Sequence, residues 1–190
     1  MTPLPDRSAL PPSPWVCRWS PLVAAGAPVL DVACGAGRHM RWFAGRGHPV
    51  TGIDRDPAAL AAARAWGTAI EADIENGPWP LAGQRFGGVV VTHYLWRPLL
   101  PTLLDAVAPG GVLIYETFAA GNDTVGKPAR PDFLLRPGEL LALCAGPDWR
   151  VIAYEDGFEP APDRFVQRIA AVRTGAAPAA ADAPPRYPLR

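Results

Sequence analysis

Apolar residues along the chain fall into two alternating rhythms. Compact runs at Val29–Ala33, Val50–Ile53, Phe86–Thr92 and Val112–Thr117 read as buried strands. The intervening segments carry helical spacing: Met40, Trp42 and Phe43 within Arg38–Arg46, then an alanine-rich stretch with Asp56 as N-cap, Pro57 at the first helical position and Gly67 as its stop. A weaker third strand is expected over Ala69–Glu71, leading to Asp73. Pro98 opens a helix expected to run through Val107, and the "APGG" turn feeds the strand at Val112.

The ends of this pattern differ from its middle. Ser13 and Pro14 cap a short helix whose apolar face is Trp15, Trp19, Leu22 and Val23, ended near Pro21. Beyond the fifth strand, residues 118–136 are polar and rich in glycine and proline, which predicts a lid or a disordered loop. A helix over Pro137–Ala145 follows, and Val151–Tyr154 with Phe165–Val172 can form an antiparallel hairpin. The expected architecture is an α/β, doubly wound, mainly parallel sheet with an antiparallel closing hairpin. It divides the chain into a disordered arm at 1–12, one domain at 13–173 and a disordered tail at 174–190.

Composition narrows the function classes. The 190 residues carry no formal net charge, and Lys127 is the only lysine, so no basic surface suited to many phosphates is evident. Nucleic acid is therefore the weaker expectation for a partner. Cys17, Cys34 and Cys144 lie far apart and form no ligand cluster with histidine, which predicts free thiols, no metal and a reducing compartment. With no leader-like start and no long uncharged apolar segment, a cytoplasmic protein is expected, monomer or homodimer.

Chemistry concentrates behind the first strand. In a doubly wound sheet, ligands sit beyond the carboxyl ends of the strands where strand order reverses, and Asp31, Gly35, Gly37 and Asp54 converge there. The glycines admit close backbone approach, and Asp54 can accept from both hydroxyls of a ribose. An adenosine ligand is implied. A dinucleotide site wants a third small residue, and Met40 occupies that position.

"VLDVACGAG", "VTGIDRDP", "EADIE", "VVVTHYLW" and "LLDAVAPGGVLIYETF" together resemble the motifs of the class I S-adenosylmethionine-dependent methyltransferases, over roughly Trp15–Arg173. "LDVACGAGRH" and "RPDFLLRPGELL" are most similar to the small bacterial tellurite-resistance-like members. The resemblance implies a Rossmann-like methyltransferase domain with S-adenosylmethionine as cofactor. Asp31, Ala33, Gly35 and Gly37 would then surround its methionine part, and Asp54 would hold the ribose. Arg55, Asp73 and Ile74 would contact the adenine, and Thr92 would line the reacting side.

His93 and Tyr94 after the fourth strand, and Glu116 on the fifth, are the candidate acceptor contacts or general base. Asn122, Lys127, Arg130 and Phe133 lie on the long loop and could cover an acceptor. "THYLW" contains neither an Asn-Pro-Pro-Tyr tetrad nor a Pro-Cys nucleophile, so a small-molecule methyl acceptor is the leading expectation. A catalytically silent cofactor-binding module and a nicotinamide oxidoreductase are the competing readings.

Overall fold

The computed structural model describes residues 10–175 and 186–188. Most of the expected arm and most of the expected tail lie outside those residues. The strands are β1 (Val29–Val32), β2 (Val50–Asp54), β3 (Thr68–Glu71), β4 (Phe86–Thr92), β5 (Val107–Phe118), β6 (Trp149–Pro160) and β7 (Asp163–Arg173). They form one seven-stranded sheet in the order β3-β2-β1-β4-β5-β7-β6. The first five are parallel, and β7 pairs antiparallel with both β5 and β6. Strand order reverses between β1 and β4, so the doubly wound reading holds and places a crevice beyond those two strands.

Alternation along the strands explains the two helical layers. Leu30 and Val32, Val89 and Val91, Leu113 and Tyr115 point to the face covered by α4 (Leu100–Ala106) and α5 (Glu139–Leu143). Val29, Val90, Val112 and Ile114 point to the opposite face, covered by α1 (Pro14–Trp19), α2 (Arg38–Ala44) and α3 (Pro57–Ala63). β1 is buried at all four positions, which is why it reads as a continuous apolar run instead of an alternating one.

Met40 at the third position of the glycine pattern has a structural counterpart. A Cβ on Gly52 of β2 would come within 2.3 Å of Met40 Sδ and 2.7 Å of Cys34 Sγ. The room that a small helix residue would have supplied is supplied instead by a glycine in the neighbouring strand. α2 thereby seats a methionine against the sheet.

Four expectations are corrected. The segment from Pro98 is not one helix: a 3-10 turn at Arg97–Leu99 precedes α4, which ends at Ala106. β5 begins at Val107, because Phe86 pairs with Val107 and Gly88 next pairs with Val112, so Ala108–Gly111 form an excursion within the strand. The 118–136 loop is ordered by its own polar groups: buried Asn122 donates from Nδ2 to the Pro128 carbonyl and accepts at Oδ1 from the Phe165 amide. Ala119 and Leu135 form a bridge that closes the loop at its base. The hairpin extends well past both expected ends, and no described helix is long and apolar enough to cross a membrane.

Candidate functional site

Two adjoining hollows lie beyond the carboxyl ends of β1, β2 and β4. One, about 350 Å³, is lined by Arg55, Asp73, Ile74, Glu75 and Tyr94. The other, about 480 Å³, is lined by Cys34, Gly35, Arg38, His39 and Thr92. Ala33, Asp54 and His93 border both, so the two form one bent cleft hinged on those three residues. A larger cavity of about 620 Å³, between Trp79 and Asp105, contains none of the candidate residues.

The backbone is unusual at two of the three hinge positions. Ala33 and His93 have φ of 54° and 53°, the left-handed region that non-glycine residues seldom occupy. They directly follow the two strands that flank the switch point. Such strain persists where the surrounding structure fixes it, commonly at ligand sites. Gly37 also has a positive φ, 78°, and its missing side chain lets α2 begin against Ala63, whose Cα lies 3.0 Å from where a Cβ would stand.

Asp54 ties the cleft together. Its Oδ2 accepts from the Gly35 amide at 2.7 Å and its Oδ1 from the Asp56 amide at 2.9 Å. The carboxylate therefore fixes the glycine turn while staying on the wall shared by both hollows. Asp73 is exposed and folded into a local turn, accepting from the amides of Glu75 and Asn76 and from the Asn76 side chain. The Asn76 side-chain hydrogen bond, then the Glu75 amide, hold its carboxyl below the ordinary range.

Asp31 is strained electrostatically. It is 1% exposed, its Oδ2 has no hydrogen-bond partner among the described residues, and burial pushes its pKa up to about 7. His39 Nδ1 lies 3.9 Å from Asp31 Oδ1, and His39 Nε2 accepts from the Ser13 amide at 3.1 Å. Burial, then Arg38, holds His39 down at about 3, so the imidazole is neutral with its proton on Nδ1.

The candidate acceptor residues have different surroundings. Glu116 is buried on the face covered by α1, where Ser13 Oγ donates to Oε1 at 3.0 Å and Arg168 to Oε2 at 3.2 Å. Both of its oxygens are engaged. Tyr94 faces the Asp73 hollow, its buried hydroxyl lacks a partner among the described residues, and burial pushes its pKa up. His93 stacks on Phe118 with centroids 5.1 Å apart and contacts Arg164 through Nε2. Asn122 is turned into its own loop, and Lys127, Arg130 and Phe133 do not line the cleft. Trp96 packs on the core beneath α4, and burial pushes the Cys34 thiol up, as suits a packing residue.

Several residues at this site escaped the sequence reading. Arg38 follows the glycine turn as the first residue of α2 and lines the cleft, hydrogen-bonding Thr92 Oγ1 at 3.5 Å, with no described carboxylate within salt-bridge distance. Its position directly after the second glycine was an available signal. Ser13, His39 and Arg164 had none, because only the register of β5 and β7 and the seating of α1 bring them to the strand ends.

The residues present suit S-adenosylmethionine. A buried carboxylate oxygen without a partner among the described residues, on Asp31, and the Arg38 guanidinium flank the glycine turn, where an amino acid's ammonium and carboxylate need opposite charges. Asp54 stands between that half and a second hollow lined by Tyr94, whose buried hydroxyl has no partner among the described residues.

Residues 29–111 match a family model described as a methyltransferase domain. A malonyl-[acyl-carrier protein] O-methyltransferase of Serratia marcescens is 36% identical over 106 residues, covering 51% of this chain and 40% of that protein. The chain thus spans about two fifths of the length of the curated relatives it first matches. Among solved structures, TehB of Haemophilus influenzae superposes with a TM-score of 0.64 at 18% identity, covering 82% of this chain and 60% of that one. An S-adenosylmethionine-dependent methyltransferase of Mesorhizobium loti gives 0.62 at 20% identity, covering 82% and 97%. Residues 29–111 are thus similar to a methyltransferase domain, set in a fold shared with TehB and with other S-adenosylmethionine-dependent methyltransferases.

Proposed function

We propose that the chain transfers the methyl group of S-adenosylmethionine to a small-molecule acceptor at the bend of the cleft. The observation that carries this reading is the junction at Ala33, Asp54 and His93, which joins the hollow at the glycine turn and Arg38 to the one lined by Arg55, Asp73 and Ile74. In this reading Asp31, Ala33, Gly35, Gly37 and Arg38 hold the methionine part, and Asp54 the ribose. Arg55, Asp73, Ile74 and Tyr94 surround the adenine, and Thr92 and His93 face the transferred methyl.

When bound, the cofactor supplies a methyl group already activated by positive sulfur. What the protein contributes is alignment and exclusion of water. Glu116, clamped by Ser13 and Arg168, holds α1 against the sheet rather than moving a proton. The name of the Serratia marcescens relative supports oxygen as the acceptor atom to test first.

Calorimetric titration with S-adenosylmethionine, S-adenosylhomocysteine and NAD, repeated on Asp54→Ala, tests the reading. Saturable binding of both sulfur ligands, weakened by at least ~1 kcal/mol in Asp54→Ala, is expected. Preference for NAD would return the oxidoreductase alternative. Binding without methyl transfer across broad acceptor panels would favour the silent module.

A further inference from the structure

His93 is the one imidazole at the bend of the cleft, and its surroundings decide what it can do there. Arg164, the second residue of β7, stands directly opposite Glu159 of β6, and its Nε is ion-paired with that carboxylate. Its NH1 then reaches His93 Nε2 at 3.2 Å. A guanidinium has donors only, so Nε2 must be the acceptor and the ring proton must sit on Nδ1. Neither ring nitrogen then has a lone pair free to take a proton.

The other charges facing this ring reinforce its neutrality on balance. Arg38 from α2 and Arg164 from β7 disfavour an imidazolium, while Glu116 from β5 and Glu159 from β6 favour one. Both carboxylates are themselves held by arginines: Glu116 by Arg168, Glu159 by Arg164 and Arg168. Desolvation leads, with Arg38 next, and together they carry His93 below its ordinary value. Tyr94 keeps its proton, since burial pushes its pKa up, and it lies in the hollow of Asp73 and Ile74.

We propose that Arg164 is a positioning residue that makes His93 a neutral hydrogen-bond donor instead of a general base, restricting methyl transfer to acceptors already ionised at neutral pH, as a carboxylate is. The inference rests on the proposed methyl-transfer reading. The acceptor oxygen's electron pair forms the new bond to the methyl carbon as the carbon–sulfur bond breaks, its pair remaining on sulfur. An anion and a sulfonium become a neutral ester and a thioether. No proton is left over, so none needs a base.

The test reads the ring directly. The chain has three histidines, so long-range ¹H–¹⁵N spectra can resolve His93 with the help of His93→Gln. The expected wild-type ring is the Nδ1–H tautomer, titrating below the ordinary histidine value. In Arg164→Gln the tautomers should mix and the titration should move up by half a unit or more, and Arg164→Lys, which keeps a charged donor, should restore much of the wild-type state. An Nε2–H tautomer in the wild type, or a ring unmoved in Arg164→Gln, overturns the proposal.

Calorimetry with S-adenosylmethionine on the same samples separates the two readings. Loss of cofactor binding in the wild type counts against methyl transfer and leaves the ring measurement standing. S-adenosylhomocysteine release is then compared between phenylacetate and phenol. At least tenfold faster release with phenylacetate is expected, and faster release with phenol overturns the acceptor class. The tautomer and titration decide whether or not either probe is turned over.

Discussion

Asp31 Oδ1 and His39 Nδ1 stand 3.9 Å apart, at 1% and 2% side-chain exposure, and each has been pushed toward its neutral form. The pair is thus a buried acid and a buried base that bury little net charge near neutral pH. Asp31 is the member with an unpartnered oxygen, and it borders the glycine turn. Asp31→Asn should remove a costly charge and raise the midpoint of thermal unfolding at pH 8, by roughly 2–4 °C for each kcal/mol recovered. The same variant should bind S-adenosylmethionine at least tenfold more weakly by calorimetry, because the ammonium loses its carboxylate. A lower melting midpoint with unchanged affinity would make Asp31 a packing residue.

The pH dependence of stability follows from the same two groups. Asp31, raised from 3.8 to about 7, keeps its proton in the folded state after the unfolded chain has lost it, so its contribution falls as pH rises between those values. His39, lowered from 6.5 to about 3, stays unprotonated while the unfolded chain takes up a proton, so its contribution rises with pH over about 3 to 6.5. The slopes oppose each other. His39→Gln should leave only the Asp31 slope, visible in urea titrations as stability that declines from pH 4 to pH 7. The wild-type profile should be flatter over that interval, and parallel profiles would show that the two shifts are not both present.

Gly52 and Met40 form a fitted pair across β2 and α2. Gly52→Ala would set a Cβ 2.3 Å from Met40 Sδ and 2.7 Å from Cys34 Sγ, an overpacking expected to cost about 1–3 kcal/mol in chemical denaturation. Met40→Ala alone should also destabilise, by leaving a cavity. Combined, the two should destabilise by less than the sum of their single effects, because each relieves the defect of the other. Strict additivity would show that the helix shifts to absorb the added methyl.

The fold was legible because its strands are short apolar runs and its glycines fall where the turns require them. The hairpin length was not, because β6 is half exposed and polar along much of its course, with Glu155, Asp156 and Glu159 inside it. Pairing partners and not apolar rhythm sustain that strand. At the site, Asp31, Gly35 and Asp54 could be placed because they end consecutive parallel strands or follow them directly. Glu116 could be placed at a strand end, but its clamp by Ser13 and Arg168 depends on contacts 103 and 52 residues away. Tyr94 was expected on the acceptor side with His93, and yet the turn after β4 sends the neighbouring side chain into the hollow of Asp73 and Ile74. His93 borders both hollows, whereas Tyr94 lines only this one.

Tyr94 and Tyr115 offer a paired comparison of what a buried hydroxyl is for. Tyr115 Oη donates to the Tyr94 carbonyl at 2.8 Å and so holds the backbone after β4 in place. Tyr94 Oη is buried without a partner among the described residues, in the hollow that also contains Asp73 and Glu75. Tyr115→Phe loses a made hydrogen bond and leaves a carbonyl unsatisfied, so it should destabilise the protein by about 1–3 kcal/mol. Tyr94→Phe loses no such bond in the free protein and should leave denaturation midpoints unchanged or slightly raised. If its hydroxyl is kept for the adenosine, Tyr94→Phe should weaken S-adenosylmethionine binding about five- to tenfold, the size of one net hydrogen bond. A Tyr94→Phe protein that binds with full affinity would show that the hydroxyl does not serve the ligand, and would leave the adenine to Asp73, Ile74 and Arg55.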